Sequence, residues 1–258
     1  ALAKRGVDAV KFQLHISHAE SSIHEPFRVK FSFQDKTRYD YWKRMEFTES
    51  QWAGLKKHAN DNNLDFLSSP FSTKAVSLLD KLGVPAWKIG SGEIFDPLIL
   101  KAIIKTKKPI IFSNGMSTTK AIEKQIDYFN SIGVDYCILE CTTRYPTKPE
   151  EIAFSELKKY RDDFKVNFGL SDHSGEIYPS LAAVTLGAMI IEVHVTLSPY
   201  MFGPDNIASL TIEKLRDLVE GIRFIERMRN STLDKNIIAN QLGESKKIFT
   251  KSLYASKN

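Results

Sequence analysis

Two histidines, His173 and His194, each stand at the end of a short β-rich run in which polar and apolar residues alternate. In the second run Met189, Ile191, Val193 and Val195 share one face, while Ile190, Glu192 and His194 share the other. In the first, Gly169, Ser171 and His173 oppose Phe168, Leu170 and Asp172. A carboxylate and two imidazoles on an otherwise aliphatic inner face are costly unless they meet water, a counter-charge or an ion. If the two runs are adjacent strands, about 4.8 Å apart, the imidazoles could share a divalent cation whose remaining positions are open to water or substrate. The alternative is a hydrogen-bonded histidine pair with no ion. Imidazole suits manganese, iron, cobalt or zinc, and an oxygen-rich remainder favours manganese or magnesium.

Cationic residues fall at matching places. Lys11 shares a strand face with Gln13 and His15, and Lys88 precedes a Gly90-Ser91-Gly92 strand end where a ligand can approach the backbone. Ser68, Ser69 and Pro70 close another strand, and Ser113, Asn114 and Gly115 a fourth. Lysines, hydroxyls and small residues gathered from several strand ends suit a phosphate and carboxylate pocket. His15, His18, His24 and His58 carry weaker signals.

The elements that position these residues follow from hydrophobic period. Strands are expected over 8–15, 65–71, 86–92, 109–115, 136–142, 166–173 and 189–196, separated by helices over 49–62, 73–82, 96–105, 118–132, 149–164, 178–186 and 211–229. Strictly alternating β and α elements predict a parallel sheet covered by helices. With 258 residues, near the about 250 of one α/β barrel, the expectation is an α/β fold of (β/α)8 TIM-barrel type. Seven units are visible, which predicts a missing first strand, with residues 1–6 as the tail of its helix. A doubly wound sheet is disfavoured because no first strand runs into GxGxxG or a GxxxxGKS loop. Residues 1–230 are read as the barrel, with 16–47 as an aromatic-rich insertion carrying Phe27, Phe31, Phe33, Tyr39, Tyr41, Trp42 and Phe47. Residues 231–258, polar and with a short β-like piece at 253–255, read as a linker.

Composition excludes several classes. At 42% hydrophobic and 26% charged residues the chain can bury a full core, and no apolar run approaches the roughly 18 residues of a membrane helix. The net charge of +5 is spread over helices rather than gathered in a basic arm, so nucleic acid is not expected and an anionic small molecule fits as well. Cys137 and Cys141, about 13 Å apart along one strand, are expected to be free thiols in a reducing, cytoplasmic setting.

At the residues named above the chain resembles the catalytic barrel of the sialic acid synthase family. The matching stretches are DAVKFQ (8–13), SSPFS (68–72), WKIGSGE (87–93), PIIFSNGM (109–116), CTTRYP (141–146), LSDHS (170–174), EVH (192–194) and GPD (203–205), in order along nearly the whole chain. The resemblance implies condensation of phosphoenolpyruvate with an N-acetylmannosamine-like aldose, with release of phosphate. It implies His173 and His194 as metal ligands, with manganese first and magnesium or cobalt possible. It places phosphoenolpyruvate on Lys11, Ser69, Lys88, Thr143 and Ser171, and sets Gln13 and Glu192 near sugar and metal. Glu192, Lys11 and Lys88 are then the expected catalytic residues. A homodimer is implied, as are an upstream strand carrying a glutamate and a C-terminal antifreeze-like domain beyond the linker. Thr143 replaces the family's usual asparagine, Glu140 a frequent histidine, Val193 a basic residue, and Asn206 a histidine, which points to a different aldose rather than a different reaction. The rival readings are a Schiff-base aldolase using Lys88 or Lys11, and a sugar-binding barrel without catalysis.

Overall fold

Helix starts are written locally. The Thr48 side chain accepts from the Gln51 amide and Gln51 reaches back to Thr48, opening a helix over Glu49–Asp61; Ser72, Asp96, Thr118 and Thr211 cap later helices by accepting from a first-turn amide, without the return bond. Gly83, at φ 77°, closes the helix that Ser72 opens, in a conformation that a Cβ would disfavour. The computed structural model describes residues 1–27 and 32–251; Phe31 and the β-like piece at 253–255 lie outside the described residues.

Seven parallel strands follow one another: β1 (Ala9–Leu14), β2 (Asp65–Pro70), β3 (Trp87–Ile89), β4 (Ile110–Ser113), β5 (Tyr136–Cys141), β6 (Phe168–Asp172) and β7 (Ile190–Val193). β1 pairs with β2, and β3 to β7 form a five-stranded sheet in sequence order, with β2 packed beside β3. Each strand is followed by its helix: α3 (Glu49–Asp61), α4 (Thr73–Leu82), α5 (Pro97–Ile104), α6 (Thr119–Ser131), α7 (Phe154–Lys159), α8 (Tyr178–Leu186) and α9 (Ile212–Arg229), while the insertion after β1 carries α1 (Ser17–Glu20) and α2 (Arg38–Met45). This is an α/β fold with a curled parallel half-barrel sheet, as the alternation of periods requires.

Its two faces divide the labour. Outward-facing Phe12 and Phe66 pack on Trp52 of α3, and Phe112 on Phe129 of α6, with Trp87, Ile89, Ile138 and Phe168 completing a buried apolar layer. Inward, the register sets Cys141 beside Ser171 and Ser171 beside Glu192. Gly169 sits one layer deeper between Leu139 and Ile190, where an added Cβ would collide with the Ile190 carbonyl oxygen, so only glycine lets β6 and β7 approach.

Among the described residues β1 pairs only with β2, and β7 only with β6. Between them lies a cavity of about 660 Å³, lined by Val10, Phe12, Ile191, Leu215, Val219 and Ile222 with the polar groups of the interior at its inner end. Several strands are shorter than expected, β4 stopping at Ser113 and β6 starting at Phe168, and most of all β3, which stops at Ile89 before the glycines, and β7, which stops at Val193 with Val195 making one bridge to Leu210. The single helix expected over 149–164 is broken into a 3₁₀ turn at Pro149–Glu151, α7 and a π turn at Tyr160–Phe164, because Ile152 is extended at φ −86° and ψ 114°. Beyond residue 230, where no helix was expected, α10 (Lys235–Gln241) and α11 (Gly243–Phe249) form without burying a residue. No helix among the described residues is long and apolar enough to cross a membrane.

Candidate functional site

Parallel strands deliver their C-terminal ends to one rim, and the inward polar residues meet there. Glu192 is the hub. Its carboxylate lies 3.5 Å from Lys11 Nζ and 3.6 Å from Lys88 Nζ, and accepts a 2.9 Å hydrogen bond from Ser171 Oγ. Burial alone would raise the Glu192 carboxyl, but Lys88 and Lys11 outweigh it and bring the group down to about 2. Lys88 is 3% exposed and donates to Ser113 Oγ at 2.8 Å and to the Ile89 carbonyl at 3.1 Å. Burial pushes its ammonium below the ordinary lysine range, Glu192 opposes that shift, and the charge on Lys11 adds to it. A floor of two ammonium groups over one carboxylate carries a surplus positive charge and suits an anion.

The two histidines converge. Their ring centroids are 5.3 Å apart with planes 29° from parallel. The Thr142 carbonyl accepts from His173 Nδ1 at 2.9 Å, which leaves Nε2 as the lone-pair nitrogen. Burial lowers both imidazoles, and the positive neighbours His173 and Lys11 add to that at His194 while Asp205 opposes it. Two imidazoles this close, with burial favouring their neutral form, are a donor pair of the kind that fits a divalent cation. They would supply two ligands, since no group of three or more His, Cys, Asp or Glu side chains converges among the described residues. The rest would come from water or substrate.

The other expected residues divide. Gln13 and Ser69 are cross-strand neighbours on β1 and β2, Gln13 exposed and Ser69 buried. Thr143 lies on the exposed loop after β5, its hydroxyl against Gly115. Three residues were not singled out for the site by sequence, although each lies in a quoted stretch. Tyr145 stacks on His173 at 4.3 Å and donates its hydroxyl to Nε2 at 3.3 Å. Glu93 is raised by burial against the electrostatic pull of Lys88. Asp205 acts electrostatically on both His194 and Tyr145. Alternation cannot find these, because all three sit on loops. Both cysteines are free and buried, and burial pushes the Cys137 thiol up to about 12.

Behind the rim, Asn114 Nδ2 donates to Glu140 Oε2 at 2.7 Å, Tyr160 donates to the same oxygen at 3.1 Å, and Asn114 Oδ1 accepts from the Cys141 amide at 2.9 Å. Burial raises the Glu140 carboxyl, with the Asn114 and Tyr160 bonds opposing. A carboxyl that holds its proton more tightly folded than unfolded costs stability as pH rises from its unfolded value toward its folded one. Glu140→Gln is therefore expected to raise the melting temperature by about 2–4 °C at pH 7, and by nothing below about pH 4, in paired thermal scans.

Fold and rim together define an α/β-barrel protein whose strand ends gather two ammonium groups and a carboxylate beside two imidazoles. The sequence comparison is more particular: residues 1–233 match the model of the NeuB family, and the chain belongs to that family. It is 35% identical to the N,N'-diacetyllegionaminic acid synthase of Campylobacter jejuni, over 99% of this chain and 78% of that protein. It is 31% identical to the N-acetylneuraminate-9-phosphate synthase of Homo sapiens, over 88% of this chain and 64% of that one, just under two thirds of its length. The crystal structure of the N-acetylneuraminic acid synthetase of Leptospira borgpetersenii, in complex with citrate, superposes with a TM-score of 0.81 at 24% identity, over 96% of this chain and 84% of that one, and shares the fold.

Proposed function

We propose that this chain is the barrel of a nonulosonic acid synthase, condensing phosphoenolpyruvate with an open-chain acetamido aldose and releasing phosphate. The observation that carries the reading is the approach of Lys11 and Lys88 to one carboxylate beside the His173 and His194 pair. Names of relatives that make legionaminic and neuraminic acids support it.

In this reading Lys11 and Lys88 bind the phosphate and carboxylate of phosphoenolpyruvate, assisted by Ser69, Ser171 and Thr143, and fix the enol carbon for attack on the aldehyde. A new carbon–carbon bond forms, the aldehyde oxygen takes a proton, water adds to the resulting cationic carbon, and phosphate departs. Glu192, held ionised, accepts hydrogen bonds and orients the incoming water rather than supplying a proton. Gln13 contacts the sugar. His173 and His194 would hold a divalent cation, manganese before magnesium or cobalt, which would supply Lewis acidity toward the aldehyde oxygen. A homodimer in the cytoplasm completes the proposal.

Incubation with phosphoenolpyruvate and a panel of acetamido aldoses is expected to release phosphate with at least one sugar, to stop on chelation, and to resume with manganese. No release with any sugar would sink the reading, and undiminished release after exhaustive chelation would sink its metal. One observation favours a second chemistry: Lys88, depressed by burial and by Lys11, has the character of a Schiff-base nucleophile. Borohydride trapping of a substrate on Lys88 would select that aldolase reading.

A further inference from the structure

β4 ends at Ser113, yet the next residue still serves the sheet. The Asn114 amide donates to the Leu139 carbonyl of β5 at 3.3 Å. In evenly spaced parallel pairing the Cys141 amide would then bond the Asn114 carbonyl, but that carbonyl accepts from the Ser117 amide at 2.8 Å instead. The Asn114 side chain takes its place, with Oδ1 accepting from the Cys141 amide at 2.9 Å. Its other end is held as firmly. Nδ2 donates to Glu140 Oε2 at 2.7 Å and to the Tyr160 hydroxyl, which itself donates to the same carboxylate oxygen at 3.1 Å. Asn114 is 7% exposed and Glu140 5%, so a flipped amide would set oxygen against carboxylate and N–H against N–H with no water to compensate. The side chain has one orientation.

The strand end that Asn114 grips leads directly into the candidate site. One residue beyond Cys141, the Thr142 carbonyl accepts from His173 Nδ1 at 2.9 Å, and Cys141 Sγ lies 3.9 Å from the same nitrogen. Two residues beyond, the Thr143 hydroxyl packs on Gly115, where an added Cβ would stand 2.3 Å from it. Arg144 and Thr147 also donate to the Thr142 carbonyl, at 2.9 and 3.3 Å, but they belong to the same loop and move with it. That loop is tied to β6 by the Thr147 amide on the His173 carbonyl at 2.9 Å, and to β4 by Asn114.

We propose that Asn114 is a positioning residue: by completing the β4–β5 ladder with its side chain it holds the Thr142 carbonyl where His173 Nδ1 donates to it, and so leaves His173 Nε2 as the nitrogen offered to a cation. The consequence for the cation rests on the function proposed above, whereas the consequence for the tautomer does not. A partner that fixes the tautomer of a metal-binding histidine acts on affinity although it never touches the ion.

Nitrogen NMR of the imidazole rings in the metal-free chain reads the tautomer, with His173→Ala identifying the His173 signals, and calorimetric titration with manganese reads the cation. Wild type is expected to show His173 protonated on Nδ1 and bare on Nε2. Asn114→Ala is expected to give a mixture of both tautomers and to weaken manganese binding by about tenfold, the low end for loss of an outer partner of a metal ligand. Asn114→Asp with Glu140→Gln reverses donor and acceptor while keeping an oxygen on the Cys141 amide, and should return a single tautomer and a manganese affinity within about threefold of wild type. A role confined to packing would lower the melting temperature of Asn114→Ala and leave its His173 signals and manganese affinity as in wild type. That result overturns the inference, as does a wild-type His173 protonated on Nε2, or a reversed pair that recovers stability alone. Should Asn114→Ala fail to fold, Asn114→Ala with Glu140→Met, which leaves no buried carboxyl without its partner, carries the same expectations. If wild type binds no manganese, the metal of the proposed function falls, and the spectra alone decide the role of Asn114.

Discussion

Lys88→Met should reduce kcat/KM for phosphoenolpyruvate by about three orders of magnitude, the largest loss expected from any one change at this site. Lys88 is the more buried of the two ammonium groups, with 4% of its side chain exposed against 20% for Lys11, and the lower the local dielectric, the stronger its hold on an anion. Truncating one member of a buried, hydrogen-bonded charge pair costs about 2–5 kcal/mol, which corresponds to a loss of about 30-fold to several thousandfold. The upper part of that range applies because three groups lose their partner together: Glu192 at 3.6 Å, Ser113 at 2.8 Å and the Ile89 carbonyl at 3.1 Å. Methionine keeps the aliphatic stem and most of the volume, so packing against β4 changes little. The double change Lys88→Met with Glu192→Gln should leave turnover as low, since it returns no ammonium group to the floor and removes the carboxylate that Lys11, at 3.5 Å, still pairs with. Titration calorimetry with phosphoenolpyruvate and steady-state phosphate release check both statements. An affinity for phosphoenolpyruvate within threefold of wild type would remove Lys88 from the anion site.

His194→Ala should weaken manganese binding by at least about a hundredfold and abolish metal-dependent phosphate release. Altering a group that merely orients a metal ligand already costs about 10–100-fold, and removing one of two imidazole ligands should exceed that. His173→Ala should match it, because each imidazole would supply one of the two protein ligands. Neither change should alter the melting temperature of the metal-free chain by more than a few degrees, since both rings sit at the rim rather than in the apolar layer. Manganese titration followed by calorimetry reads the metal apart from catalysis. Retention of manganese by both variants would mean that the imidazoles pair without an ion, the alternative left open by the sequence.

The fold was legible to a large degree. All seven expected strands and their following helices are present in order, because each has a strong period, and because caps such as Thr48 with Gln51 and stops such as Gly83 act over three or four residues. The errors fall where local preference is overridden. β7 ends early at Val193, at the edge of the sheet among the described residues, and the helix expected over 149–164 breaks at Ile152 although its apolar spacing continues.

For the candidate site the division is similar. A period of two sets Lys11 with Gln13 and Glu192 with His194 on shared faces whatever the rest of the chain does, so the identity of the polar rows belongs to the sequence. Family membership belongs there too, through short stretches kept in order. That Lys11, near the start of the chain, lies 3.5 Å from Glu192, far along it, depends on how sharply the sheet curls, which is a property of all the strands together. Tyr145 over His173, and His15 between Trp42 and Phe71 with Glu20 behind it, depend on where loops fall back onto the rim. Loop residues carry no period, and their contacts are made with distant side chains after the strands are in place, so only the folded chain could show them.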